Sequence, residues 1–275
     1  MPHIHITGFS NPRVKYLRSL REKKHRKREG LFLAEGLRLV TEAREAGHIP
    51  EMIVLAEGRD PHPLVEALSD AVEQKGGDII TTSRDILTKI SGKDNPQAVI
   101  GMFRDCDVSF DALDRHSSGI WLVAQDMRDP GNLGTMLRTG DAVGAGGLIL
   151  IDQCVDPFSV EAVRASMGAV FTQKIVQAAW PDFLRWLRSG PGQLVGTSLN
   201  TDRDYQAERY SAPTFLLTGN EAQGLPADYE AECDVLVKMP MLGKADSLNA
   251  AVATAVMAYE VLNQQRASAI VPSKE

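Results

Sequence analysis

At 275 residues the chain is longer than a typical single domain, so we expect two compact units; 43% hydrophobic and 24% charged residues are typical of a globular protein. No apolar run approaches the ~20 residues of a membrane-spanning helix, and the polar N-terminal residues do not resemble a secretory signal. Three widely separated cysteines, Cys106, Cys154 and Cys233, argue against a disulfide framework or a zinc site and predict a reducing, cytoplasmic location.

The net charge of −6 is unevenly distributed along the chain. Up to Cys106 there are 17 Lys and Arg against 15 Asp and Glu, a net +2; after it there are 13 against 21, a net −8. Nine of the basic residues lie between Arg13 and Arg28, with a single acid, Glu22. A mildly acidic protein with one dense basic segment is typical of local contact with a polyanion.

Residues 1–106 predict a small α/β domain. Segment 10–28 predicts a helix, because Pro12 suits the first helical position and Val14, Leu17 and Leu20 form an apolar stripe. Further helices are predicted at 37–46, 63–74 and 83–90, and strands at 31–34, 51–56, 78–82 and 98–103. The polar stretch 107–118 is interpreted as a linker.

Residues 119–275 predict a second domain in which strands alternate with helices. Continuous apolar runs at 120–126 and 147–152 predict strands buried on both faces. Further strands are predicted at 174–177, 193–199, 214–219 and 234–240, and helices at 132–143, 158–171, 181–188 and from Ser247 to about Gln265. This alternation predicts a largely parallel sheet with helices on both faces.

Three strands of the second domain end in polar loops that contain glycine, within segments 126–145, 216–225 and 239–256. Ligands of parallel α/β sheets bind beyond the carboxyl ends of the strands, so the three loops are predicted to converge on one site. Each residue taken singly has a simpler explanation. Asn132 and Ser247 suit helix caps, a lone Arg138 is usually solvated or paired, and Glu221 in a loop usually faces solvent.

Several common site motifs are missing from the sequence. Two residues separate Gly131 from Gly134, which does not match the dinucleotide-binding GxGxxG pattern. Segment 243–247 contains Gly-Lys but lacks the upstream glycine of a phosphate loop, and HExxH, paired-cysteine and GxSxG motifs do not occur.

Taken together, the three loops resemble the motifs of the SpoU/TrmH family of SPOUT RNA methyltransferases. The first motif has Asn132, Gly134 and Arg138; the second has Gly219, Glu221 and Gly224; the third has Pro240, Met241, Gly243, Ser247, Leu248 and Asn249. Segment 10–43 also resembles the L30e-like substrate-binding domain that precedes the catalytic domain in many members. The resemblance implies a C-terminal parallel sheet with a deep trefoil knot, S-adenosylmethionine as cofactor, and a homodimer whose interface completes the site.

The resemblance also implies the residues of the site and no metal. The implied catalytic residues are Asn132, Arg138, Glu221, Ser247 and Asn249; the implied cofactor-binding residues are Gly219, Met239 and Leu248, with Leu217 and Leu242 as neighbours. A guanidinium stays protonated, so Arg138 is predicted to stabilise charge on the ribose oxygen rather than act as a base. Glu221 is a candidate salt-bridge partner for it.

The basic segment is predicted to bind RNA phosphates, a solvated charged face being the alternative. The residues concerned are Arg13, Lys15, Lys23, Lys24, Arg26, Lys27 and Arg28. The predicted function is 2′-O-methylation of RNA ribose, with 23S-type ribosomal RNA favoured over tRNA by the first domain. A non-catalytic RNA-binding protein of the same fold is the alternative from another functional class, and the modified nucleotide is not identified.

Overall fold

The computed structural model describes residues 3–58 and 60–270 and contains two compact units. The first comprises Met1–Cys106 and Asp156–Phe171, and the second comprises Asp107–Val155 and Thr172–Glu275. Segment 156–171 therefore packs with the first unit, although the sequence predicts it within a contiguous second domain. Aromatic packing explains this placement, because the rings of Phe158 and Phe171 have centroids 4.9 and 5.7 Å from that of Phe32.

A mixed five-stranded sheet forms the centre of the first unit, in the order β1-β4-β3-β5-β2. Its strands are β1 (His3–Ile6), β2 (Leu31–Glu35), β3 (Met52–Ala56), β4 (Asp78–Thr82) and β5 (Val99–Arg104). Only β5 runs antiparallel to its neighbours, β2 and β3. Strand β1 is not predicted from the sequence, since this short edge strand is largely exposed and carries no apolar run.

Among the described residues 3–58 and 60–106, five helices belong to the first unit. They are α1 (Pro12–Ser19), α2 (Lys23–Glu29), α3 (Leu37–Glu45), α4 (Pro63–Gln74) and α5 (Arg84–Ser91). The single helix predicted at 10–28 is wrong, because α1 ends before residue 20 and α2 begins at Lys23. The Arg26 guanidinium donates to the carbonyl oxygens of Leu20 and Arg21 at 2.9 and 2.6 Å, which satisfies groups that helix continuation would otherwise bond.

The second unit contains a six-stranded sheet, and every strand pair in it is parallel. In sheet order the strands are β11 (Val235–Val237), β9 (Gln193–Thr197), β10 (Thr214–Thr218), β6 (Ile120–Gln125), β7 (Leu148–Ile151) and β8 (Ile175–Ala178). Each residue of β6 is buried, as its apolar run predicts. The predicted parallel sheet is confirmed, and the trefoil knot stays a prediction.

In the part of the chain that the structure describes, five further helices follow β6. They are α6 (Pro130–Val143), α7 (Val160–Ser166, which packs with the first unit), α8 (Trp180–Arg188), α9 (Ala227–Ala231) and α10 (Ala250–Ile270). Helix α10 packs along α6 and against β10. The predicted helix 158–171 breaks after α7, because Met167 takes a left-handed conformation (φ 50°).

Within residues 3–58 and 60–270, no helix combines the length and hydropathy needed to cross a bilayer.

Candidate active site

The site lies at the carboxyl edge of the parallel sheet, where the chain leaves β6 and β10. The loop after β6 begins at Asp126, whose positive φ of 51° turns the chain sharply. The side-chain amide of Asn220, which follows β10, donates to the Asp126 carbonyl oxygen at 2.9 Å. Adjacent parallel strands deliver both loops to one edge, and this hydrogen bond joins them.

At the start of α6, the Asn132 side chain takes part in the site and does not cap the helix. Asp129, not Asn132, caps this helix: its carboxylate accepts from the Asn132 backbone N–H at 2.7 Å. The Asn132 side-chain amide therefore does not cap the helix and is available for other hydrogen bonds. It donates to Glu221 Oε1 at 3.1 Å and accepts from the Asn249 amide at 2.8 Å. Asn132 thus connects the loops that follow β10 and β11.

The Glu221 carboxylate is held in a fixed orientation. Besides Asn132, the backbone N–H groups of Arg128 and Asp129 donate to it at 3.4 and 3.3 Å. These three donors come from Arg128 and Asp129 in the loop after β6 and from Asn132 in the first turn of α6. Together they restrict the carboxylate to few orientations. Among the ion pairs of the described chain, none joins Glu221 to Arg138, so the predicted salt bridge is absent within a single chain.

Asn249 acts both as a helix cap and as a site residue. Its side-chain oxygen accepts from the backbone N–H groups of Ala251 and Val252 at 3.0 and 3.2 Å, at the start of α10. Ser247 lies two residues earlier, is exposed, and is not the cap that the sequence suggests. The cap fixes the Asn249 side chain, so its amide points reliably toward Asn132.

A cleft of about 290 Å³ opens beside this hydrogen-bond network. Its lining includes Thr218, Gly219, Glu221, Met239, Ser247 and Leu248. Of the predicted cofactor-binding residues, Gly219, Met239 and Leu248 line the cleft. The other two do not line it: Leu217 is fully buried in the sheet core and Leu242 is 98% exposed, so their role at the cofactor stays a prediction.

Gly219 is required by the close approach of two backbone segments. A Cβ atom there would lie 2.4–2.6 Å from the Gly224 carbonyl group and the Leu225 nitrogen. These are main-chain atoms that have little freedom to move aside. The missing side chain also leaves backbone groups bare at the cleft wall, where they can hydrogen-bond a flat heterocycle.

Arg138 lies apart from the network that joins Asn132, Glu221 and Asn249. It is exposed on α6, six residues beyond Asn132, and at 100° per residue that spacing turns it away from the face of Asn132. Its guanidinium makes no hydrogen bond or ion pair with any part of the chain that the structure describes. The structure therefore brings three of the five predicted catalytic residues into contact and leaves Arg138 open to a second molecule.

The cysteines beside the sheet edge do not provide a nucleophile. Burial raises the pKa of the Cys154 thiol to about 11, and burial raises the pKa of the Cys233 thiol to about 12. Both thiols stay protonated near neutral pH, and Cys154 donates to the carbonyl oxygens of Ala124 and Ile151. In the described residues, no three His, Cys, Asp or Glu side chains are grouped to hold a metal ion.

The predicted RNA-binding residues of the first unit fall into three groups. Arg26 is a correction, because it is only 5% exposed and its guanidinium bonds Asp156 at 2.7 and 2.9 Å. Arg13 is ion-paired with Asp78, and Arg28 with Glu29 at 2.7 Å. The remaining residues are exposed and have no side-chain partner in the described ranges: Lys15, Lys23, Lys24 and Lys27.

Comparisons with known proteins identify the family. Residues 119–259 match the model of the SpoU rRNA Methylase family, and residues 11–101 match an MRM3-like substrate binding domain. The chain is 30% identical to the Bacillus subtilis 23S rRNA (guanosine(2553)-2′-O)-methyltransferase RlmP, over 93% of this chain and 98% of that protein.

The chain belongs to the SpoU rRNA methylase family.

Two further members illustrate the breadth of the match. A 23S rRNA (uridine(2479)-2′-O)-methyltransferase of Streptomyces viridochromogenes is 30% identical over 90% of this chain and 87% of its own length. The crystal structure of an AdoMet-bound rRNA methyltransferase from Sinorhizobium meliloti superposes with a TM-score of 0.88 at 38% identity, covering 94% of this chain and 97% of that one. Both relatives therefore align with this chain over most of their own length.

Three residues of the site are not predicted from the sequence: Asp129, Asn220 and Glu230. Asp129 and Asn220 hold the two loops, and their positions between motif residues are the signal that could have identified them. Glu230 also lines the cleft, where its carboxylate accepts from the Ser198 hydroxyl and, at 3.1 and 3.2 Å, from the Asn200 amide. No motif marks this contact, because α9 and the loop after β9 lie about 30 residues apart in the chain.

Proposed function

We propose that this protein transfers the methyl group of S-adenosylmethionine to a ribose 2′-hydroxyl of 23S-type ribosomal RNA. The observation that carries the proposal is the hydrogen-bonded set Asn132, Glu221 and Asn249 at the rim of the cleft. A binding-only protein has no need to align three polar side chains from three separate loops beside a ligand cleft. The SpoU relatives named above methylate ribose in 23S rRNA, which supports ribosomal RNA over tRNA.

The cleft suits S-adenosylmethionine. Gly219 leaves room at the wall for a heterocycle, and Met239 and Leu248 offer apolar surface on which a ring can pack. When bound, the cofactor supplies an electrophilic methyl group on its sulfonium sulfur. The Glu221 carboxylate, which lines the same cleft, favours a cationic ligand over a neutral one.

The polar residues then orient the ribose and manage its proton. The 2′-hydroxyl must be placed in line with the methyl carbon and lose a proton as the new C–O bond forms. Asn132 and Asn249 are well placed to position the ribose, because their amides are already fixed by Glu221 and by the cap of α10. An arginine stabilises negative charge on the oxygen, and the proton leaves to water or an RNA phosphate.

Mapping of 2′-O-methyl groups tests this function. In cells that lack the protein, one 23S-type ribosomal position is expected to lose its methyl group, and the wild-type gene is expected to restore it. The matched control is the Asn132→Ala variant, which removes the link between Glu221 and Asn249 and should not restore methylation. If methyl groups were lost only from tRNA positions, the assignment of ribosomal RNA as substrate would be wrong. If no RNA lost a methyl group, the proposed methyltransferase activity would be wrong.

A second copy of the chain is proposed to complete the site. Arg138 is exposed and unpaired within its own chain as far as the structure describes it, so the charge-stabilising arginine is missing from the network it should serve. On the adjacent helix α10, Val252 and Tyr259 are exposed two turns apart, and Val256 is half-buried between them. An apolar stripe of this kind fits a like stripe on a two-fold related copy.

Charged substitutions in this stripe are expected to separate the subunits. Val252→Asp combined with Tyr259→Asp should give a monomer in sedimentation at micromolar concentration, because two charges would face each other across the axis. Leu64→Asp on α4 is the matched control, since Leu64 is also an exposed apolar helix residue but belongs to the first unit. A wild-type chain that sediments as a monomer and is fully active would contradict the dimer.

Mixed dimers test whether Arg138 serves the partner's site. Combining Arg138→Ala with Asn249→Ala chains should recover roughly a quarter of wild-type activity, because half of randomly formed dimers hold one complete site of two. Each variant alone is the control and should stay inactive. Absence of any recovery would mean that Arg138 and Asn249 act within one chain.

A further inference from the structure

The first unit contains a groove between the turn that follows α1 and the C-terminal end of α5. Its volume is about 750 Å³, and all of its lining residues belong to this unit. Basic side chains dominate the lining: Lys15, Arg18, Arg21, His25 and Lys93. The two acids that line it are Glu22 and Glu161.

The break between α1 and α2 builds the groove. Arg26 folds inward to bond Asp156 and the carbonyl oxygens of Leu20 and Arg21, so the chain turns at this point. The turn carries the Arg21 side chain toward Gly92, the left-handed residue that ends α5 (φ +72°). A Cβ at Gly92 would lie 2.1 Å from the Arg21 guanidinium carbon, so the guanidinium rests on this glycine.

Three of the groove's cations are available to a ligand. Lys15, Arg18 and Arg21 are exposed, and none has a side-chain hydrogen bond or ion pair within the described ranges of the chain. Lys93, by contrast, is paired with the buried Glu35 at 2.6 Å. His25 also lines the groove; its Nδ1 is buried without a hydrogen-bond partner among the described residues, and its Nε2 lies 3.7 Å from the Glu22 carboxylate.

We propose that this groove, and not the exposed face of α2, binds the phosphodiester backbone of the RNA substrate. Lys15 and Arg18 lie one turn apart on α1 and Arg21 follows in the turn, so the cations are spaced along the groove and face a chain of phosphates rather than a single anion. Arg18 and Arg21 can each donate two parallel hydrogen bonds to one phosphate. The proposal rests on the proposed function, since it concerns the RNA that the cleft would modify.

The exposed lysines of α2 provide a matched comparison. Lys23, Lys24 and Lys27 are exposed and unpaired in the part of the chain that the structure describes, but they do not line the groove. A groove variant (Lys15→Ala, Arg18→Ala and Arg21→Ala) and an α2 variant (Lys23→Ala, Lys24→Ala and Lys27→Ala) remove the same net charge from the same unit. Any difference in RNA binding between the two variants is therefore due to where the lost charges lie and not to how many are lost.

The experiment is binding of a labelled 23S rRNA transcript to each full-length chain over a range of salt concentrations, with folding checked by circular dichroism. The groove variant is expected to lower the slope of log K against log salt by about two to three, since each phosphate contact contributes roughly 0.7 to 0.9. The α2 variant is expected to change the slope by less than about one. Equal effects, or an effect confined to the α2 variant, would overturn the proposal. Salt-independent binding by the wild-type chain would instead count against the proposed function.

Discussion

Replacing Arg138 with alanine is expected to lower methyl-transfer turnover by about two to three orders of magnitude, or roughly 3–4 kcal/mol, while fold and cofactor affinity are retained. The exposed position of Arg138 on α6 makes structural damage small. Its contribution to charge on the 2′-oxygen exists mainly in the transition state, so turnover should fall more than RNA affinity. Single-turnover kinetics measure the first quantity, and calorimetric titration with S-adenosylmethionine in EDTA measures cofactor affinity.

The Arg138→Lys variant separates two possible roles of this residue. Lysine keeps the charge but loses the planar fork of donors, so we expect it to restore little activity. If the residue were a general base, the lower pKa of lysine would restore turnover as the pH rises, and strong alkaline recovery would overturn the electrostatic role. Arg185→Ala is the matched control, because Arg185 is an exposed helix arginine of the same unit outside the cleft lining. Near-wild-type turnover of Arg138→Ala would refute the assignment.

Replacing Arg26 with alanine is expected to destabilise the first unit by about 3–5 kcal/mol, the usual cost of breaking a buried ion pair. The Arg26 and Asp156 side chains are 6% and 7% exposed, so the substitution leaves the Asp156 carboxylate buried without its cation. It also removes the donor for two backbone carbonyl oxygens at the end of α1. Hydrogen exchange of β2 and β5 peptides in the full-length chain measures the effect on this unit.

Lys27→Ala is the control for this measurement. Lys27 is the next residue, carries the same charge and is exposed, so its removal should change stability by no more than about 0.5 kcal/mol. Asp156→Ala is expected to destabilise the unit similarly, and the double variant should cost less than the sum of the two because the residues interact directly. A loss below about 1 kcal/mol for Arg26→Ala would show that the pair is dispensable.

Local sequence patterns were sufficient to predict the parallel sheet of the second unit and the loops that follow its strands. The apolar runs at β6, β7 and β10 became fully buried strands, and parallel strands necessarily place their carboxyl ends at one edge. The prediction that the loops after β6, β10 and β11 meet at one site is borne out by the contacts among Asn132, Glu221 and Asn249.

The caps were harder to assign from sequence. Asp129 and Asn249 cap α6 and α10, although Asn132 and Ser247 suit those positions equally by residue type. Helix periodicity fixes a boundary only to within a turn, and which side chain reaches the free N–H groups depends on the loop path before it. The sequence likewise does not distinguish Leu217, which is fully buried, from Leu242, which is 98% exposed.

The sequence by itself determined the family, the parallel sheet and the residues that form the polar network, because these follow from ordered motifs and from strand periodicity. Only the tertiary structure decided which cations of the basic segment are free. Arg26 is the example: its partner Asp156 lies 130 residues away, and no local pattern reports so distant a contact. The charge of a side chain is a property of the sequence, whereas its burial and partner depend on how distant segments pack, so Arg26 stabilises the fold while its neighbours remain open to solvent.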